Sequence, residues 1–156
     1  MKTETKIILI GGILTVLLVV GAVFFLTKQS EQEASVPEDQ VVSRRGIHWH
    51  PNLTILIKGE KQEITPNIGM GGIHQPIHTH DNSGTLHLEV SGLVTKDETM
   101  LGRFFRIWGK EFNSNCIFDK CNGSEGTVKM TVKGQENKEF ENYQMKDGDN
   151  IEIKYE

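Results

Sequence analysis

Cysteine is scarce in this chain. There are two, Cys116 and Cys121, and none stands just after the apolar run near the N-terminus. That excludes an anchor made by lipid attachment to a cysteine at that point. Basic charge is short as well, and the formal net charge is −4. Setting aside Lys2, Lys6 and Glu4 leaves 15 basic and 20 acidic side chains, net −5, beyond the apolar run. Such a balance argues against nucleic acid or anionic lipid as a partner of that part. The glycines of Gly69-Met70-Gly71-Gly72 lack the following Gly-Lys-Ser/Thr of a phosphate loop. No Gly-x-Ser-x-Gly occurs, so there is no nucleophile elbow. No internal repeat is visible.

What is present begins with residues 7–26, which carry no charge and are broken only by glycine and threonine. About 20 apolar residues span the hydrocarbon of a bilayer. A secretory signal has a shorter core of roughly 7–15 residues before a small-residue cleavage site. Here Val23-Phe24-Phe25-Leu26 runs on past Ala22. The expectation is an uncleaved single-pass anchor, with a cleaved signal as the alternative. Lys2, Lys6 and the amino terminus precede the run, and acidic residues dominate after it. The bias of basic residues puts residues 1–6 in the cytoplasm as a stub and the rest outside the cell membrane.

Residues 27–45 hold no aromatic residue and are rich in glutamine, glutamate and serine. They bury too little apolar surface to offset ordering entropy, so they read as a flexible tether. Residues 46–156 remain, one domain by length. Cys116 and Cys121 are separated by four residues. In an oxidising compartment they are expected to form a disulfide, with metal ligation by reduced thiols as the minor alternative.

Within 46–156 the pattern is α+β. Residues 47–57 alternate as one half-buried strand, with Ile47, Trp49, Leu53, Ile55 and Ile57 on one parity and His48, His50, Asn52 and Thr54 on the other. Residues 61–65 suggest a short returning strand, and residues 66–76 an irregular loop. Residues 77–81 and 85–91 flank Asn82-Ser83-Gly84 as a β-hairpin. Thr95 and Glu98 form a capping box ahead of an amphipathic helix. That helix carries Leu101, Phe104, Phe105, Trp108 and Phe112, and Gly109 is expected to end it. Strands follow over 127–133 and 150–155. The expected domain is a mixed or antiparallel sheet with one packed helix.

All six histidines lie between His48 and His87. Imidazole is the commonest metal ligand and the side chain that titrates near neutral pH. The cluster therefore means a metal site, a pH-responsive surface, acid/base chemistry, or a polar sheet face that happens to use histidine. Parity puts His48 and His50 opposite Trp49 and Leu53, His78 and His80 opposite Ile77, and His87 and Glu89 opposite Leu88. A hairpin loop of two or four residues pairs His78 directly with His87 and keeps Ile77 with Leu88 on the other face. His78, His80 and His87 then share one patch, with Glu89 two positions on. Three histidines with an optional carboxylate are the ligand set of open zinc and tetragonal copper sites. His48 and His50 extend that site if their strand neighbours the hairpin. His74 is a weaker candidate on the loop. Asp81 reads as a turn residue.

The motifs His48-Trp49-His50-Pro51, His78-Thr79-His80-Asp81 and Gly84-x-x-His87-x-Glu89, followed by Leu101-Gly102-x-Phe104-Phe105-x-x-Trp108-Gly109, come in order along the chain. Together they resemble a group of small, single-pass, membrane-anchored prokaryotic proteins without an established activity. The resemblance covers roughly residues 46–112 and implies an anchored extracytoplasmic domain. Residues 145–153 are similar to the ending of β-grasp domains. The Gly-Gly terminus of the β-grasp carrier proteins is lacking, so their chemistry is not implied.

The expectation is an anchored extracytoplasmic α+β domain that binds copper or zinc for capture or delivery. Its ligands would be His48, His50, His78, His80, His87 and Glu89, and its partner another envelope protein. Two alternatives stand beside it. One is a metal-dependent hydrolase or redox enzyme using Glu89. The other is an interaction module of an envelope complex, in which the histidines would be dispersed.

Overall fold

The computed structural model describes residues 3–34 and 36–156, and the chain divides into two compact units, Met1–Gln40 and Val41–Glu156. In the first unit, helix α1 covers Thr3–Ala34. Its stretch Ile10–Lys28, 19 residues, is long and apolar enough to cross a bilayer. A signal sequence near an N-terminus shares that property. Its large apolar side chains from Ile10 to Leu26 are exposed. α1 continues past the apolar run, into the segment expected as a tether. Glutamine, glutamate and alanine are good helix formers, and extending an existing helix avoids the cost of a new nucleus. The tether expectation also gives way at its other end. Val41–Ser43 are a strand, and the folded unit starts at Val41 rather than at residue 46.

In chain order the strands of the second unit are β1 (Val41–Ser43), β2 (Ile47–Trp49), β3 (Asn52–Ile57), β4 (Glu60–Lys61), β5 (Ile77–His78) and β6 (His87–Val90). Then come β7 (Val94–Thr95), β8 (Cys116–Ile117), β9 (Lys120–Cys121), β10 (Val128–Val132), β11 (Gln135–Glu136) and β12 (Asn150–Tyr155). Helix α2 (Leu101–Trp108) stands between β7 and β8. The main sheet has the order β11-β10-β12-β3-β4, with β3 and β12 parallel at its middle. This mixed sheet with one helix is the α+β arrangement expected.

Alternation sets the register of the main sheet. Leu53, Ile55 and Ile57 stand beside Ile151, Ile153 and Tyr155, which stand beside Val132, Met130 and Val128. These residues join Leu101, Phe104 and Phe105 of α2 in one apolar core. Each fully buried large side chain contributes about 1.5–3 kcal/mol by leaving water. The sheet edges are short and polar. Lys58-Gly59 and Lys133-Gly134 turn the chain into β4 and β11, both residues of each pair at positive φ as a two-residue hairpin turn demands.

The single strand expected over 47–57 is two strands in different sheets. β2 joins a three-stranded sheet of order β2-β6-β5, and β3 joins the main sheet. Pro51 has no N–H to donate, so the ladder breaks there. His50 N–H instead reaches Asp147 Oδ1 at 2.8 Å, and Pro51 O accepts the Leu86 N–H at 2.9 Å. The return after Gly59 is also shorter than expected, β4 alone, with Gln62 N–H still reaching Ile55 O at 2.8 Å.

The Thr95–Glu98 capping box is present, but it opens a single 3-10 turn, Lys96–Thr99, rather than α2. Met100 is extended, and α2 starts after it without a side-chain cap. Hydrogen bonds to the segment before β12 impose the break: Leu101 N–H to Tyr143 O and Met145 N–H to Thr99 O, at 2.8 and 2.9 Å. α2 ends at Gly109, in the left-handed region, with Lys110 N–H returning to Phe105 O at 3.0 Å. Phe112 therefore lies beyond the helix, yet its ring stacks on Phe105 at 4.5 Å. β8 and β9 pair with Cys116 directly opposite Cys121, and the two are disulfide-bonded.

Candidate metal centre

The β5–β6 ladder has the register that patterning dictates. Ile77 pairs with Leu88 and His78 pairs with His87. Ile77 and Leu88 are buried in the core, so His78 and His87 share the other face. The ladder stops there, and the expected continuation from His80 to Thr85 does not form. Thr85 bridges to Asn52 instead. The connection is a longer loop in which Asp81 Oδ1 accepts the Ser83 N–H at 2.9 Å, the turn role its sequence position suggests.

One histidine departs from its expected exposure: His78 is only 3% exposed. The reason is the loop before β5, which lies against it. Thr79 N–H donates to Ile68 O at 3.0 Å, Ile68 N–H to Thr79 Oγ1 at 3.1 Å, and Gln75 N–H to Gly69 O at 2.9 Å. Gly69 has φ +76°, and a Cβ there would lie 3.2 Å from His78 Cβ and 2.7 Å from Ile77 O. The glycine lets the loop backbone close over the imidazole.

β2 is the other neighbour of β6, with His48 opposite Glu89 and Trp49 opposite Leu88. That brings the remaining histidines to the same face. Ring centroids run from His48 to His50 at 4.8 Å, from His50 to His87 at 4.8 Å, and from His87 to His80 at 4.4 Å and His78 at 5.5 Å. His74 is exposed at the far end, 6.1 Å from His78. Two triads, His48-His50-His87 and His78-His80-His87, each offer ring nitrogens lying within 4.8 Å of one another. Metal–nitrogen bonds of about 2.0–2.1 Å at tetrahedral angles put ligand atoms about 3.4 Å apart. Each triad thus needs to draw in by little more than an ångström, and His48, His50 and His80 are exposed. His74 is in neither triad. Nor is Glu89, whose Oε1 lies 3.3 Å from His48 Nε2.

Second contacts orient the rings. His78 Nδ1 lies 3.2 Å from Gln75 O. A carbonyl oxygen only accepts, so this contact places a proton on Nδ1, and in the neutral ring Nε2 then carries the lone pair. Asp147 holds the His50 backbone N–H and lies 3.9 Å from His50 Nδ1. Asp147 stands in a turn braced by buried Asp149, which accepts from the Tyr143 hydroxyl at 2.7 Å and the Lys146 N–H at 2.8 Å. The pKa of His87 is pushed below its ordinary value, first by burial and then by His80, His50 and His78, while Glu89 works the other way. His87 is therefore disposed to stay neutral and present a lone pair.

Sequence reasoning missed Asp147 and Gln75. Asp147 lies 97 residues from His50 and has no local signal. Gln75 acts through its carbonyl, which every residue type possesses.

His48, His50, His74 and His80 are exposed, His87 is half-buried and His78 is buried. A cleft of about 700 Å³ lies nearby, lined by Gly69, Gly71, Gly72, Ile73, Gln75, Arg103, Arg106 and Ile107, and no histidine faces it. The arrangement can hold a borderline or hard-to-displace transition ion through neutral nitrogens and leave positions for water or an incoming donor. Comparison of the chain with protein families, with curated proteins and with solved structures finds no match.

Proposed function

We propose that this chain is a membrane-anchored extracytoplasmic domain that binds a transition metal, copper or zinc, for capture or delivery near the membrane. The observation that carries the reading is the convergence of the histidines on one face, with two triads in ligating range. An interaction module with incidental histidines has no need of that focus. Ligands would be His48, His50, His78, His80 and His87, with Glu89 and Asp147 orienting His48 and His50. His74 would serve as an outlying donor. Copper stands first by the affinity order for nitrogen sites. The disulfide supports an oxidising compartment, and the basic residues ahead of the apolar helix support a cytoplasmic N-terminus. The exposure of His48, His50 and His80 favours exchange with a partner, such as another envelope protein, over turnover in a closed pocket.

The test is metal content and affinity of the full chain in detergent micelles, titrated separately with copper and zinc beside a His80→Gln, His87→Gln double variant. Near-stoichiometric binding tighter than micromolar, lost in the variant, is the expected result. Binding of either metal no tighter than that, or equal binding by the variant, refutes the reading.

A further inference from the structure

The following rests on the metal-binding reading and concerns how one ion uses several histidines. His87 is the ring common to both triads. It lies 4.8 Å from His50 on one side and 4.4 Å from His80 on the other. The flanking pairs sit in different surroundings. His48 and His50 are both exposed, whereas His78 is buried under the loop that Gly69 closes.

Filling both triads at once is opposed by charge. A neutral His87 ring has one lone pair and binds one ion at a time; an ion on each nitrogen would require imidazolate, with the two ions about 6 Å apart and the second weakened about a hundredfold even at the dielectric of water. Glu89 lies 3.3 Å from His48 Nε2 and Asp147 3.9 Å from His50 Nδ1, while Asp81 interacts electrostatically with His80 and His87.

We propose that the two triads are alternative sites for a single ion: a loading triad, His48-His50-His87, and a holding triad, His78-His80-His87, in which His78 alone is buried, with the ion passing between them while bonded to one nitrogen of His87. The transfer breaks the bonds to His48 and His50 and forms bonds to His78 and His80. No electron moves, the ion keeps its charge, and the released rings keep their protonation or exchange a proton with water. Continuous attachment to His87 means the ion never returns to its full hydration shell on the way.

The full chain in detergent micelles tests this with zinc. Uptake and release are followed by stopped flow against a chromophoric chelator, with bound equivalents measured by titration. The wild type is expected to bind one equivalent. The His48→Gln, His50→Gln variant is expected to hold one equivalent within about tenfold of wild-type affinity but to load about ten times more slowly. His80→Gln is expected to load at the wild-type rate and to release about ten times faster. His87→Gln loses a ligand from both triads and is expected to bind about a thousandfold more weakly. The four substituted rings are exposed or half-buried, and unchanged circular dichroism identifies variants that keep the fold.

Three results overturn the relay: two equivalents of similar affinity in the wild type, abolition of binding in either the His48→Gln, His50→Gln variant or the His80→Gln variant, or wild-type loading without His48 and His50. A wild type that binds neither zinc nor copper overturns the metal-binding reading itself, which is a different outcome from these three.

Discussion

Replacing Asp149 by alanine is expected to cost the second unit about 3 kcal/mol of stability. The carboxylate is 2% exposed. Its Oδ2 accepts from the Tyr143 hydroxyl and the Lys146 N–H, and its Oδ1 lies 3.0 Å from Lys133 Nζ. In Asp149→Ala the Tyr143 hydroxyl is left buried without its acceptor, which costs about 1–3 kcal/mol. Lys146 and Lys133 are exposed and turn to water, so each adds less than about 1 kcal/mol. The assay is urea unfolding of the full chain in micelles followed by tryptophan fluorescence. Trp49 and Trp108 are the two tryptophans of the chain, so the signal reports the second unit alone. Tyr143→Phe should cost about 1 kcal/mol, since the hydroxyl and the need for its acceptor go together. Asp149→Ala made in that background should then cost about 1–2 kcal/mol less than in the wild type. A cost below about 1 kcal/mol for Asp149→Ala, or an equal cost in both backgrounds, refutes the orphaned-hydroxyl reasoning.

Other predictions concern pH, the histidine loop and the disulfide. Burial and the bond to Asp149 raise the Tyr143 pKa above its ordinary 10.0. The folded state therefore holds that proton more tightly, and its stability contribution is complete below pH 10 and falls as pH rises further. Alkaline unfolding curves should be flatter in Tyr143→Phe. The His87 pKa is lowered from 6.5, so the unfolded chain takes up that proton first and metal-free stability falls as pH drops through 6.5. His87→Gln should flatten that acid limb when melting temperature is followed from pH 8 to 5. Gly69→Ala drives a Cβ against Ile77 O and His78 Cβ. It should lower zinc affinity at least about tenfold in a chelator competition. Gly59→Ala, also at positive φ but with open space around it, should leave affinity unchanged. Replacing Cys116 and Cys121 by serine should cost about 2 kcal/mol of unfolding free energy on the chain-entropy model, and adding reductant to the wild type should reproduce the shift.

Much of the fold was legible because it rests on period-2 patterning. The register of His78 against His87 follows from requiring Ile77 and Leu88 on one face, and the structure has it. The inward faces of β10 and β12 follow from the same rule. Three things were not legible, each decided by contacts distant in sequence. The strand break at Pro51 depends on Asp147 and Leu86 taking the neighbouring hydrogen bonds. The late start of α2 depends on Tyr143 and Met145 claiming the backbone at Leu101 and Thr99. The burial of His78 depends on a loop whose path is set by Thr65, Ile68 and Thr79. Strand parity names the face a side chain points to, but not what later folds over that face. The helical course of the segment after the apolar run was a matter of context too, since an isolated polar stretch and a continuation of an existing helix carry the same composition.

The parallel pairing of β3 with β12 also orders events during synthesis. β2 and the histidine hairpin leave the ribosome early, but Asp147, which clamps His50, follows 97 residues later. At about 5–20 residues per second that interval is on the order of 5–20 s. Until it ends, β3 has no parallel neighbour and the outer imidazoles have no fixed geometry. A nascent chain therefore presents histidines without presenting a site. Docking of β12 converts one into the other, so the candidate centre takes its geometry only once β12 has been made.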